Sequence, residues 1–90
     1  MESGSRRKIF AANWKMNLSA AKAEQFIQEM LSVDIPSDIQ VLVFPPALYL
    51  QRLSELTANS QIEIGAQNIY WERSGAYTGE ISAPMIDEAG

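Results

Sequence analysis

An α/β fold built on a parallel sheet follows from three features of this 90-residue sequence. Three short apolar runs, beginning at Lys8, Ile39 and Ile62, carry the Ile, Val, Phe and Ala residues expected of buried strands. Between them lie two segments whose apolar residues recur at helical spacing. Proline and glycine signals separate the units. Strands alternating with helices predict βαβ units with right-handed crossovers.

Lys8 to Trp14 reads as a short buried strand, because Ile9, Phe10, Ala11 and Ala12 form an apolar run. A helix then opens at Leu18-Ser19, with Ser19 as its N-cap. Ala23, Phe26, Ile27, Met30 and Leu31 form its packed stripe, while Lys22, Glu24, Gln25, Gln28 and Glu29 form its wet face. Ile35-Pro36 ends it near Val33. Ile39 to Phe44 is nearly all apolar, the pattern of a strand covered on both faces. Pro45-Pro46 stops that strand and opens a helix over about 47–58, with Tyr49, Leu50, Leu53 and Leu56 on one side. Ile62 to Ala66 begins a third unit. A long polar loop, Gln67 to Ile81, follows it, and Ser82-Ala83-Pro84 starts another helix. Three strands with two complete helices leave sheet edges and faces uncovered, which predicts the N-terminal part of a larger α/β protein. The alternative is a small three-strand domain that ends at Gly90.

Composition bounds the function. With 47% hydrophobic and 20% charged residues the chain is ordinary globular material, not a disordered segment. A single domain of this length buries about 60–65% of its unfolded surface. The net charge of −4 provides no basic footprint for nucleic acid. The sequence has no Cys, which excludes a disulfide scaffold, a thiolate metal site and a Cys nucleophile. It has no His either, so a catalytic imidazole would have to come from elsewhere. No apolar run approaches 18 residues, and the basic start at Arg6-Arg7-Lys8 has no apolar signal core behind it. The expected setting is the cytoplasm, with neither membrane nor nucleic-acid partner.

Ligands of parallel α/β proteins gather at the carboxyl ends of the strands. The first strand runs into Asn13-Trp14-Lys15-Met16-Asn17. If it stays extended, alternation places Asn13 and Lys15 on one side with Trp14 and Met16 opposite. A Lys beside an apolar strand is costly to bury without an anion, so the pair reads as an anion site. A Lys whose stem packs while its head reaches water is the equal alternative. Gln67 and Asn68, at the third strand end, read first as loop braces. Gly75-Ala76-Tyr77-Thr78-Gly79-Glu80 is a glycine-flanked loop tip. It lacks the spacing and Lys of a phosphate loop, and its exposed aromatic reads as a docking contact. Glu24 with Glu29, and Asp87 with Glu88, read as solvated faces.

Three stretches also carry a resemblance. Ala12-Asn13-Trp14-Lys15-Met16-Asn17 resembles the opening strand of the triosephosphate isomerase family. Gly65-Ala66-Gln67-Asn68 resembles the end of its third strand, and Gly75 through Ser82 resembles its dimer loop. The three occur in the family's order and cover nearly the whole chain from Lys8 onward. The resemblance implies a (β/α)8 TIM barrel of about 250 residues. Residues 8–90 would supply its first three strands, two helices and the start of a third helix, and residues 1–7 a variable or added tail.

It implies a glycolytic and gluconeogenic isomerase without a cofactor, converting dihydroxyacetone phosphate and glyceraldehyde 3-phosphate into one another. The Glu base, neutral His and closing loop established for triosephosphate isomerase itself would lie beyond this sequence. Lys15 would be the catalytic and substrate-binding lysine, and Asn13 would bind substrate and orient Lys15. Gln67 and Asn68 would give structural support. Met16, Tyr77, Thr78 and Glu80 would lie in a homodimer interface built on the 75–80 loop. The 90 residues alone would be inactive. A non-catalytic barrel fragment or interaction module is the competing reading.

Overall fold

The computed structural model describes residues 7–90. Most of the tail expected over 1–7 therefore lies outside the described residues. Three strands, β1 (Lys8–Asn13), β2 (Ile39–Phe44) and β3 (Ile62–Ile64), form a parallel sheet in the order β1-β2-β3. Two helices, α1 (Ala20–Leu31) and α2 (Leu50–Thr57), provide the crossovers, and α3 (Ala83–Ala89) ends the described chain.

The register runs straight across the strands. Lys8 pairs with Ile39 and Asn13 with Phe44, while Val41 to Val43 pair with Ile62 to Ile64. All three carboxyl ends consequently reach the same edge of the sheet. Beyond the ladder, Trp14 N–H donates to the Phe44 carbonyl at 3.1 Å and Gly65 N–H to the Val43 carbonyl at 2.9 Å.

Ser19 caps α1, its hydroxyl accepting from Lys22 N–H at 3.3 Å. The helix stops at Leu31, and Ser32 closes it with its hydroxyl on the Glu29 carbonyl at 2.6 Å. Of the five apolar positions in its stripe, only Ala23 and Ile27 are fully buried. Phe26 and Leu31 stay exposed, although Phe26 meets Trp14 edge-on with ring centres 5.5 Å apart. Pro46 leads into a 3-10 turn over Ala47–Tyr49 before α2 proper begins. Leu50 and Leu53 are buried on α2, as is Thr57, whose hydroxyl bonds the Leu53 carbonyl at 2.9 Å. That internal bond makes a polar residue tolerable in the core.

Ala23, Ile27, Val41, Val43, Leu53 and Ile62 form one hydrophobic core between the helices and one face of the sheet. Each large side chain buried there contributes about 1.5–3 kcal/mol. Arg52 bridges the two helices, 3.2 Å from Glu24 and 3.6 Å from Glu55. The hydrogen bond and charge of Glu24 raise the Arg52 pKa further above its usual range. Glu24 is thus an ion-pair partner, not a freely solvated charge. Its exposure keeps the contribution small.

Two expectations about burial fail. The first strand was expected to be buried, yet all six residues of β1 are exposed, Phe10 to 62%. Among the described residues β1 has a neighbour on one side only, which leaves one edge of its backbone unpaired. The second strand was expected to be covered on both faces. Val41 and Val43 are buried under the helices, but Gln40, Leu42 and Phe44 are only half-buried because no element among the described residues lies over the opposite face. The strand sequences suit a sheet covered twice; the described residues cover it once.

The chain by itself should therefore associate. An open parallel edge with Ile9 and Phe10 exposed beside it is a template for pairing. Sedimentation should show concentration-dependent oligomers. A cooperative thermal melt of a stable monomer would contradict the expectation.

Candidate functional site at the strand ends

β1 ends at Asn13, and the chain turns sharply. Lys15 adopts φ of 57° and Leu18 φ of 75°, the left-handed region that non-glycine residues seldom occupy. Such conformations persist only where surrounding contacts hold them. Three contacts do so here. Lys15 N–H donates to Asn13 Oδ1 at 2.9 Å, Asn17 Nδ2 donates to the Trp14 carbonyl at 2.8 Å, and Tyr49 Oη donates to the Leu18 carbonyl at 3.0 Å.

Strand alternation therefore does not place Lys15 relative to Asn13. The strand has ended, and the left-handed turn sets the direction of the Lys15 backbone instead. The two residues are nonetheless joined, through the side chain of one and the backbone of the other.

Gln67 ties this turn to the rest of the sheet. Its Nε2 donates to the Lys15 carbonyl and to the Phe44 carbonyl, each at 2.8 Å. One amide, set just beyond β3, thus holds the ends of β1 and β2. Asn68 makes a local contact only, accepting from Ile69 N–H at 3.0 Å. Asn17 and Tyr49 are contributors to which sequence reasoning gave no role at the site, Tyr49 being placed only on the packed side of the second helix. A left-handed Lys leaves no trace in composition or periodicity, so nothing in the sequence pointed to them.

The loop after β3 is ordered by aromatic packing. Tyr70 stacks on Trp71 with ring centres 4.4 Å apart and meets Tyr77 at 4.6 Å. Tyr70 also forms a parallel bridge to Ser82, its N–H donating to the Ile81 carbonyl at 2.8 Å. Gly75 has φ of 140°, and a Cβ there would come within 2.5 Å of Tyr77 Cε2. The ring lies over the glycine, so Tyr77 is folded back and 42% exposed rather than free at the tip. Tyr77 to Glu80 forms a tight turn closed by Glu80 N–H on the Tyr77 carbonyl at 3.0 Å. Gly79, with φ of 85°, occupies the position where a type II turn needs glycine. Thr78 stands at the exposed corner of that turn.

The structure thus brings Asn13, Lys15 and Gln67 together and holds Tyr77, Thr78 and Glu80 in a separate ordered loop. Met16 is 94% exposed beside the first cluster. Among the described residues no cluster of His, Cys, Asp or Glu side chains could hold a metal ion.

A parallel βα array with a polar cluster at its carboxyl edge defines an α/β protein of the kind that binds ligands there. The chain belongs to the triosephosphate isomerase family, whose model matches residues 8–90. The triosephosphate isomerase of Acaryochloris marina (strain MBIC 11017) is 46% identical over 87 residues, covering 93% of this chain and 36% of the relative. That of Nostoc punctiforme (strain ATCC 29133 / PCC 73102) is 44% identical over 87 residues, covering 94% and 36%. That of Synechococcus sp. (strain CC9902) is 40% identical over 87 residues, again covering 94% and 36%. The chain thus spans about a third of the length of these curated relatives. Three parallel strands with their helices match the first part of the family's barrel.

Gln67→Leu in a full-length background should remove both clamp bonds. At about 0.5–1.5 kcal/mol for each bond, the loss should be about 1–3 kcal/mol. A lower urea midpoint with an unchanged slope is the expected measurement. Gln67→Glu, which turns an oxygen toward two carbonyl oxygens, should be at least as harmful. Parent-like stability of both variants would show that the clamp holds nothing.

Proposed function

We propose that this chain is the substrate-anchoring part of a triosephosphate isomerase. The reaction interconverts dihydroxyacetone phosphate and glyceraldehyde 3-phosphate by proton transfer through an enediolate. The observation that carries the proposal is Lys15, held in a left-handed turn by Asn13 and Gln67 at the carboxyl edge of the sheet.

Lys15 is exposed, and among the described residues no carboxylate lies within ion-pair distance of it. Its charge is therefore available to an anionic substrate. A phosphate ester supplies the anion in the ground state. The enediolate places further negative charge near the same ammonium as the reaction proceeds. A cation whose backbone is already fixed stabilises that charge with little reorganisation. Asn13 uses its side-chain oxygen to accept from Lys15 N–H, so its amide N–H groups would be the ones to donate to substrate oxygens. Gln67 and Asn68 support the site without touching substrate.

The proton must be moved by other residues. The sequence has no His, and the base and closing loop belong to the remaining strands of the barrel. The 90 residues alone should show no turnover.

The whole protein is inferred to act as a homodimer in the cytoplasm, within glycolysis and gluconeogenesis. The 75–80 loop supports the dimer reading because aromatic contacts and two glycines with positive φ pre-order it, leaving Thr78 exposed. Each loop would enter a pocket of the other subunit, so that one patch serves twice. Tyr77 would supply area, Thr78 a hydrogen bond and Glu80 a charge, and Met16 would meet the incoming loop. A non-catalytic interaction module is the second reading, favoured by the exposed apolar residues of β1.

Lys15→Met in a full-length enzyme keeps the stem and removes the charge. The expected loss is about 3 kcal/mol of transition-state stabilisation or more, about a hundredfold in kcat/KM, with folding retained. Activity within tenfold of the parent would defeat the anion-site reading.

Thr78→Arg should force a long cation into a tight interface near the partner's Lys15. The dimer should dissociate and turnover should fall together. A variant that stays dimeric and fully active would remove the 75–80 loop from the interface.

A further inference from the structure

The uncovered face of the sheet carries a charge that barrel closure would bury. Ile62 on β3 belongs to the helix-side core, so its neighbour Glu63 points to the opposite face. Gln40, Leu42 and Phe44 lie on that face of β2, since Val41 and Val43 face the core. Register places Ile9, Ala11 and Asn13 beside them on β1. In a (β/α)8 barrel this is the inner surface, filled by layers of bulky apolar side chains. Leu42 and Phe44 suit such a layer, but Glu63 does not.

Gln40 Nε2 donates to Glu63 Oε2 at 2.7 Å. This satisfies one lone pair and neutralises no charge. Among the described residues no Lys or Arg lies within ion-pair distance of Glu63, because the only ion pairs are those of Arg52. Lys8 shares register with Ile39, a core-side residue, so it belongs to the helix-facing side. In the open chain water solvates the carboxylate. Once the barrel closes, a buried carboxylate needs a cation.

We propose that the inner face of this sheet docks a basic side chain, a Lys or Arg carried by one of the strands that complete the barrel, onto the Gln40–Glu63 pair. Gln40 holds the carboxylate in place through its 2.7 Å hydrogen bond to Oε2, and Oε1 would receive the cation. The pair thus specifies which strand face can close over β2 and β3. The relatives' length provides the occupant, since about two-thirds of each lies outside the match to this chain. The inference rests on the family's barrel being closed by that remainder.

The test uses the full-length barrel that carries these residues. Glu63→Gln keeps the shape and can still accept from Gln40, so it removes the charge alone. The expected result is a urea midpoint clearly below the parent's, with the cation left unpaired inside. Glu63→Lys should prevent closure, while Glu63→Met should be harmed no less than Glu63→Gln. A Glu63→Gln variant as stable as the parent, or more so, would overturn the proposal. A loss of stability in Arg7→Gln that is non-additive with that of Glu63→Gln would overturn it too, by assigning the cation to this chain. Should Glu63→Gln not fold, a folded Glu63→Met or Glu63→Lys would overturn the proposal, and a folded Glu63→Asp, which keeps the charge, beside unfolded Glu63→Met and Glu63→Lys would support it. Isomerase turnover by the parent is measured on the same preparation. Its absence would count against the barrel reading itself, whereas an active parent with an indifferent Glu63 would count against this inference alone.

Discussion

Val43 sits next to the carboxyl end of the central strand, fully buried, with Ile27 and Leu53 of the two helices against the same core. Its neighbours Asn13 and Phe44 pair at the carboxyl end of the ladder. If this one-sided core slipped by a residue, each strand would turn its core residues to the opposite face. The carbonyls of Lys15 and Phe44 would then no longer meet one amide. The strand-end cluster therefore inherits its geometry from packing that lies on the far side of the sheet.

The helix-facing side and the inner side of the sheet have different chemistry. The helix-facing side is complete in this chain, closed by Ala23, Ile27, Leu53 and Ile62 and laced externally by Arg52 with Glu24. The inner side has half-buried Leu42 and Phe44, exposed Ile9 and the Gln40–Glu63 pair. The asymmetry explains how sequences suited to fully buried strands can be exposed. The described residues bury the helix-facing side of the sheet and leave the other side only partly covered.

The strand-end turn and the 75–80 loop are ordered by different means. Around Lys15, strain at two non-glycine residues is balanced by hydrogen bonds from Asn17, Tyr49 and Gln67 and to Asn13. In the loop, glycines absorb the positive φ values and aromatic rings do the packing. The first arrangement fixes a charged residue at the price of backbone strain; the second presents a short hydroxyl side chain on a rigid corner at little strain. Both sit beyond the ends of strands, where side-chain identity can vary without disturbing the core.

The α/β order, the parallel sheet, the Ser19 cap and the approximate bounds of α1 and α2 were legible in the sequence. Periodicity, capping and proline placement act over a few neighbouring residues, and these signals are local. Asn13, Lys15 and Gln67 could be picked out as polar residues at strand ends for the same reason. What holds them together was not legible: the left-handed Lys15, the Gln67 amide reaching back 52 residues to its carbonyl, and the Tyr49 hydroxyl on Leu18. Nor was the exposure of β1, or the return of Tyr77 onto Tyr70. Each depends on which distant segments arrive at the same place and which faces find a neighbour. Local patterning says which face of a strand is apolar; only the tertiary arrangement decides whether anything covers it.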